Sequence, residues 1–415
     1  MTLILSNPWK PELLADTWVN PDFQHIVDKL LVPLRGVKET ISPSGNLSYS
    51  RCAHRHWYEK EEGLRSPHSG HAAEAGSLAH HFLALAYREA WTGTALSFQG
   101  GLPPLVRAEF AVSEAATKWV TEYDEAARLK GAGLGIRVGE TMEIARLAVA
   151  ITYRTLRKYL LHDLASFDLI GVELPIAAKL AGMMGVASHV VLDVLFREKS
   201  SGSFVVMDNK TTTKNPGDLA EEYQYDPQRP AYVWAVAQAF PKEHVLFVYN
   251  ALRKKSPGEP DLNQCPKCKG VGCAVCAGSG VGAFSLSPCD TTPQAYFDLK
   301  ARYPHLDLTR VQHRVDELTR RGDTFNGRIA VPTSPTQIDN WLAETADVVR
   351  DRRASRRTKR WRKNRSQCST VYGLCPFREL CEEDTPEARR VFRPKEALPA
   401  AMAVAEEKTE FSAPF

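Results

Sequence analysis

The sequence predicts an α/β fold: a mixed sheet flanked by helices, with a helical lobe ahead of it and a small four-cysteine insertion within it. Three observations predict this. Short runs rich in β-branched and aromatic residues gather mid-chain, at 168–175, 189–196, 204–210 and 244–252, and read as strands. Apolar residues at helical spacing fill 105–130 and 137–161 ahead of them. Two Cys-x-x-Cys pairs, in CPKCKGVGCAVC, follow the last of these strands.

The elements follow in order. Residues 1–47 form an N-terminal segment of helix and Pro-rich turns. Its opening, MTLILSNPWKPELL, lacks the basic start and long apolar run of a secretion signal. The main domain is expected over 48–390. Within it, 72–163 is a helical lobe, beginning with a helix over 72–91. A helix over 225–240 lies between the last two strands. Residues 254–283 are the cysteine insertion, introduced by the turn-rich SPGEPDLNQ. Helices are expected over 292–321 and 335–353. Residues 350–385 hold a basic run and a second cysteine group, and 391–415, rich in Ala, Glu and Pro, read as a flexible tail. At 43% hydrophobic and 25% charged residues the composition is that of a globular protein. No run approaches the roughly 18 apolar residues that span a bilayer. A cytoplasmic protein with no membrane partner is expected.

The chemistry concentrates around FVVMDNKTTT. Alternate residues of a strand share a face, so Asp208 and Lys210 project together. If HVVLDVLF pairs with this strand through the turn EKSSGS, Asp193 arrives beside them. Two carboxylates at one point make a hard-oxygen site for Mg²⁺ or Mn²⁺. A lysine beside it can orient a water or neutralise developing phosphate charge. Gln228 and Tyr232, four apart, share a helix face. Each residue alone has an ordinary reading: Asp193 as a turn residue, Lys210 as a solvated strand end, His80 as helix packing. Their joint pattern is what points to metal-assisted phosphodiester hydrolysis.

Asp193 with Asp208-Asn209-Lys210 resembles the core of the PD-(D/E)XK nucleases. Gln228-Arg229-Pro230-Ala231-Tyr232 resembles the QxxxY motif of the RecB-type branch, and Gly76-Ser77-Leu78-Ala79-His80 its GxxxH helix. The motifs occur in order over most of the chain. The branch sets a glycine just before its first metal aspartate, whereas Gly185 stands eight residues before Asp193. The resemblance implies a restriction-endonuclease-like core and a metal-dependent DNase, an exonuclease acting on DNA ends in phage or prokaryotic recombination or replication. It implies that His80, Asp193, Asp208 and the Asn209 carbonyl hold the metal, that Lys210 acts on the water, and that Gln228 and Tyr232 brace Lys210 or the phosphate backbone. A structure- or site-specific endonuclease, or a catalytically silent nucleic-acid-binding module, are the alternatives. No GxxxxGK[ST] occurs, so unwinding would come from a separate helicase or recombination protein.

The nine cysteines form two groups. Cys265, Cys268, Cys273 and Cys276 match a structural tetrahedral zinc site, with glycines between them permitting tight turns. The repeat resembles the knuckles of DnaJ-type chaperones, a likeness confined to the metal site. Cys52 stands alone upstream, while Cys368, Cys375 and Cys381 lie near the end. This set resembles the iron–sulfur clasp of AddB-type helicase–nucleases and CRISPR-adaptation nucleases, which implies a [4Fe–4S] cluster tying the ends of the domain together. The residues themselves leave zinc open. Cys289 reads as an ordinary thiol.

Net charge is only +4, but 350–365 carries ten basic residues against one acid. Such a run is either a solvated face or a track for phosphates. Arg356, Arg357, Arg360 and Arg362, with Trp361 as a stacking platform, are expected to contact DNA, single-stranded or with free ends. Arg51, Arg55 and Trp57 form a second basic-aromatic patch.

Overall fold

In the computed structural model, residues 17–31, 36–65, 71–92, 102–130, 140–287, 290–370 and 373–394 are described. Cys289 and most of the expected tail lie outside them. The principal strands are β1 (Trp18–Val19), β2 (Glu39–Ile41), β3 (Phe167–Lys179), β4 (Val186–Glu198), β5 (Phe204–Thr212), β6 (Val245–Arg253), β7 (Leu262–Gln264), β8 (Val281–Phe284) and β9 (Asn326–Ala330). The principal helices are α1 (Gln24–Leu30), α2 (Pro43–Arg51), α3 (His71–Thr92), α4 (Pro104–Lys130), α5 (Glu140–Ser166), α6 (Gln228–Ala239), α7 (Pro293–Arg302), α8 (Gln312–Arg321) and α9 (Pro335–Thr358).

Among the described residues, seven strands form one mixed sheet in the order β1-β3-β4-β5-β6-β9, with β2 pairing β4. β3, β4 and β5 form an antiparallel meander. β5 and β6 are parallel, with α6 in the crossover between them, because parallel neighbours need a connection long enough to return the chain to the same end. The four strands expected mid-chain are present; β3, β4 and β5 run longer than their sequence signals, and β6 has the expected nine residues shifted by one. β1 and β2 have only two or three residues, and β9 reads NGRIA, so neither length nor apolar alternation marks them.

Each face of the sheet is covered. On one side α3 and α5 pack with α4 over Val194, Phe196, Val205 and Met207. On the other, α1, α6 and α9 cover Leu192, Leu195, Phe204 and Val206. Burial on both faces explains the near-continuous apolar character of β4 and β5.

The chain leaves the sheet after Arg253 and returns at Asn326. The cysteine insertion expected at 254–283 is the first part of this longer excursion, which continues through α7 and α8. It has its own small core of Phe284, Tyr296, Leu299, Leu306, Val311, Val315 and Leu318. The single helix expected over 292–321 is two helices. The break falls at Tyr303-Pro304, where proline disfavours helical geometry for the residue before it. Among the described residues no helix is long and apolar enough to cross a membrane.

Candidate active site

The β3–β4 pair contains a reversal. Val172 and Val194, paired with each other, pack into the core on the α3 side. Leu174 and Leu192, the pair two residues on, pack into the opposite core. Residues two apart on a regular strand share a face, so both strands reverse facing between these pairs. Glu173 and Asp193 occupy the reversal. Glu173 has φ +50°, a strained conformation for a residue with a side chain. Both acids are buried, at 3% and 8% exposure.

Asp193 is held from two directions. Its Oδ2 accepts the Asn209 backbone N–H at 2.7 Å and lies 3.3 Å from His80 Nδ1 on α3. α3 comes this close because residue 76 is glycine: a Cβ there would sit 2.6 Å from Thr211 Oγ1. The glycine and histidine of GxxxH thus have linked roles, close approach and side-chain delivery.

Asp208 and Lys210 share a face of β5, with Lys210 Nζ 3.0 Å from Asp208 Oδ2. Lys210 also donates to Gln228 Oε1 at the start of α6. One turn on, Tyr232 is buried. Burial, then the charges of Asp208 and Asp193, hold its phenol well above the ordinary value, so the hydroxyl stays protonated. Burial pushes the Asp208 carboxyl up to about 7; Lys210 draws it down, and Asp193 and Asp226 push it further up. Burial works against the Lys210 ammonium, but Asp208 and then Asp226 hold it above the usual lysine value. A buried carboxylate set whose mutual repulsion is only partly offset is what a divalent cation relieves. Carboxylate oxygens and an imidazole are donor types that suit Mg²⁺ or Mn²⁺; among the described residues, His80, Asp193 and Asp208 do not bring their ligand atoms as close together as the knuckle thiols do. Asn209 contributes its N–H to Asp193, and its side chain accepts from Asn250 at 2.8 Å.

Three further residues belong to this neighbourhood. Asp226 Oδ2 is 3.9 Å from Lys210 Nζ. Glu173 stands across from Asp193. The buried Arg229 guanidinium donates to the carbonyls of Gln224 and Pro332, fixing the turn that begins α6. No local signal in the sequence marks Asp226 or Arg229 as part of this cluster; folding brings them inward.

The knuckle thiols lie within 4.8 Å of one another. Sulfur separations are 3.9 Å for Cys265–Cys273, 3.7 Å for Cys268–Cys276 and 3.8 Å for Cys273–Cys276. Zinc–sulfur bonds of about 2.3 Å place sulfurs ~3.8 Å apart at the corners of a tetrahedron. Burial opposes ionisation of Cys276, but the N–H groups of Cys273 and Gly280 and the adjacent thiols bring it down to about 6. The four-cysteine set fits a tetrahedral metal ion.

Cys52, Cys368, Cys375 and Cys381 lie near one another although Cys52 is more than 300 residues from the others. The charges of Cys368 and Cys52 help hold the Cys375 and Cys381 thiols up, after burial. The Asn364 N–H reaches Cys52 Sγ at 3.4 Å. Tyr58 stacks on Phe377, and Phe377 on Phe392, beside the thiols. These four are more widely spaced than the knuckle set: among the described residues, only the knuckle brings its thiols close enough for one ion.

The basic residues divide. Arg357, Arg360 and Arg362 are exposed. Arg356 is bound within the protein, to Glu61 at 2.6 Å and Glu39 at 2.6 Å. Trp361 is half-buried against Tyr49 and His56. Arg55 pairs with Glu59, and the Arg389 guanidinium lies over Trp57. Arg51 is half-buried, its carbonyl accepting from Asn364.

No curated protein matches the chain. A family model described as the PD-(D/E)XK nuclease superfamily matches residues 40–382. The match spans most of the chain and contains the whole carboxylate–lysine cluster, and the protein belongs to the PD-(D/E)XK nuclease superfamily.

Proposed function

We propose that the protein is a Mg²⁺- or Mn²⁺-dependent deoxyribonuclease, an exonuclease acting on DNA ends. Superfamily membership supports a metal-dependent nuclease. The observation that carries the reading of the site is that the His80–Asp193 and Asp208–Lys210 contacts lie side by side, linked by the Asn209 N–H that Asp193 accepts. His80, Asp193 and Asp208, with the Asn209 carbonyl, would hold the ion. Bound there, the ion supplies Lewis-acid stabilisation of phosphate charge and lowers the pKa of a water. Lys210, fixed by Gln228, directs its ammonium at the attacking water or the phosphoryl oxygens. Tyr232 keeps a protonated hydroxyl as a donor beneath the cluster. The buried walls exclude competing solvent and strengthen each of these interactions.

The same reading gives zinc to the knuckle and a [4Fe–4S] cluster to Cys52, Cys368, Cys375 and Cys381. The cube of such a cluster binds one thiolate at each of four irons, so its cysteines stand farther apart than those around a single ion. Arg357, Arg360 and Arg362, exposed beside the clasp, are the phosphate contacts on this view. Arg356 serves to anchor α9. The substrate would be single-stranded DNA or DNA with free ends, presented by a helicase or recombination protein, in the cytoplasm of a prokaryotic cell or phage-infected host.

Digestion of end-labelled and circular DNA tests the proposal. Linear substrates should be shortened from an end only when Mg²⁺ or Mn²⁺ is present, with circular single strands left intact. Asp208→Ala and Lys210→Ala should each lower the rate on the order of a hundredfold or more while the protein stays folded. Wild-type rates in Lys210→Ala would refute the assignment, and cleavage of circles would make the enzyme an endonuclease.

A further inference from the structure

Asp226 lies in the turn that leads into α6 and is 7% exposed. Its Oδ1 accepts the Gln228 backbone N–H at 2.9 Å, which fixes the carboxylate plane. Its other oxygen, Oδ2, faces Lys210 Nζ at 3.9 Å. Lys210 is thus bracketed, with Asp208 Oδ2 nearer at 3.0 Å. Tyr223 and Tyr249, whose ring centroids are 4.2 Å apart, wall this corner. After burial, the charges of Asp208 and Asp226 hold both phenols above their ordinary values, so both carboxylates bear on the same pocket.

This arrangement creates a conflict. A divalent ion between Asp193 and Asp208 and the Lys210 ammonium draw on the same Asp208 carboxylate. Two cations sharing one carboxylate repel each other strongly at this depth. A separation of 3.9 Å is too long for a hydrogen bond, but a small swing of the flexible lysine side chain closes it. We propose that Asp226 is a positioning residue: it receives the Lys210 ammonium when Asp208 turns to a divalent ion, so that the lysine stays at the reacting centre without competing for the metal. This rests on the reading of the site given above.

The test is Mn²⁺ affinity, measured by calorimetry on the full chain without DNA. Asp226→Asn retains an acceptor for the Gln228 N–H and removes the charge; Asp226→Ser, whose hydroxyl can also accept that N–H, is a second uncharged variant. Each should melt like the wild type and bind Mn²⁺ about tenfold more weakly, because Lys210 then stays on Asp208. In a Lys210→Met background the same substitutions should change Mn²⁺ affinity little, since the competitor is gone. Unchanged affinity in the wild-type background overturns the proposal. An equal loss in both backgrounds also overturns it, because Asp226 would then act on the ion directly. Asp208→Ala is measured alongside: retained Mn²⁺ binding there overturns the site itself, and the role of Asp226 with it.

Discussion

Asp208 carries the sharpest consequence at the scale of single residues. Burial and two neighbouring carboxylates bring its pKa up to about 7, against the pull of Lys210. A carboxyl must lose its proton to ligate a metal, so binding expels that proton when the pH lies below this value. The sign follows: acid weakens metal binding, and alkali above the shifted pKa no longer strengthens it. Mn²⁺ affinity should fall by about tenfold per pH unit below about 7 and level off above it. Calorimetry in buffers of different ionisation enthalpy would count the released proton directly. A pH-independent affinity between 5.5 and 7 would mean that Asp208 is already ionised in the metal-free protein. Asp208→Asn should abolish the dependence along with tight binding.

At the scale of elements, the decisive contact is α3 against β5. A glycine in the middle of a helix costs about 1 kcal/mol relative to alanine, so Gly76 is unfavourable for α3 taken alone. Its gain is proximity, since a Cβ would meet Thr211 Oγ1 at 2.6 Å and Lys254 Cε at 3.3 Å. Gly76→Ala should push α3 outward and carry His80 away from Asp193. Overpacking of this kind costs about 1–3 kcal/mol, partly offset by the better helix former. The expected result is modest destabilisation with a larger loss of Mn²⁺ affinity. Thr211→Ala in the same chain should recover stability by opening the space. If Gly76→Ala simply raised the melting temperature, helix propensity would have won and the close approach would be unimportant.

At the scale of the whole molecule, contacts between distant segments involve cysteines and buried charge. Cys52 and the C-terminal three thiols come from segments more than 300 residues apart and lie near one another. The cluster of Tyr58, Phe377, Leu380 and Phe392 supports that junction. On the lobe side, Arg328 of β9 pairs with Asp163 of α5, which has 0% exposure, and Tyr87 of α3 donates to the same carboxylate at 2.9 Å. Removing one member of such a buried pair strands a charge, so these contacts fix the lobe on the sheet edge. Metal content should separate the two cysteine groups. Anaerobic protein should be brown and contain both iron and zinc. Cys375→Ser should lose the iron, its visible absorbance and thermal stability, while Cys268→Ser should lose zinc and keep the iron. A colourless anaerobic preparation with two zinc ions per chain would show that both groups hold zinc.

Periodicity and residue type determined much of this on their own. The central strands, the long helices and the i, i+2 placement of Asp208 and Lys210 are local properties, set by side-chain alternation and apolar spacing. Closely spaced cysteines likewise announce their own cluster, since a short loop leaves them few places to go. Tertiary structure decided whatever depends on pairing between distant segments. β1, β2 and β9 are too short or too polar to announce themselves and exist because an edge accepts them. Glu173 comes opposite Asp193 through strand register and reversed facing, not through sequence proximity. Asp226, 18 residues after Asp208, comes within 3.9 Å of Lys210 because the turn that leads into α6 folds back over β5. Arg356 is one of ten similar cations in its run, and only the position of Glu39 and Glu61 commits it to an ion pair rather than to solvent or a phosphate. Local patterns fix where a side chain points along its own element; which charges meet is fixed by the packing of elements against one another.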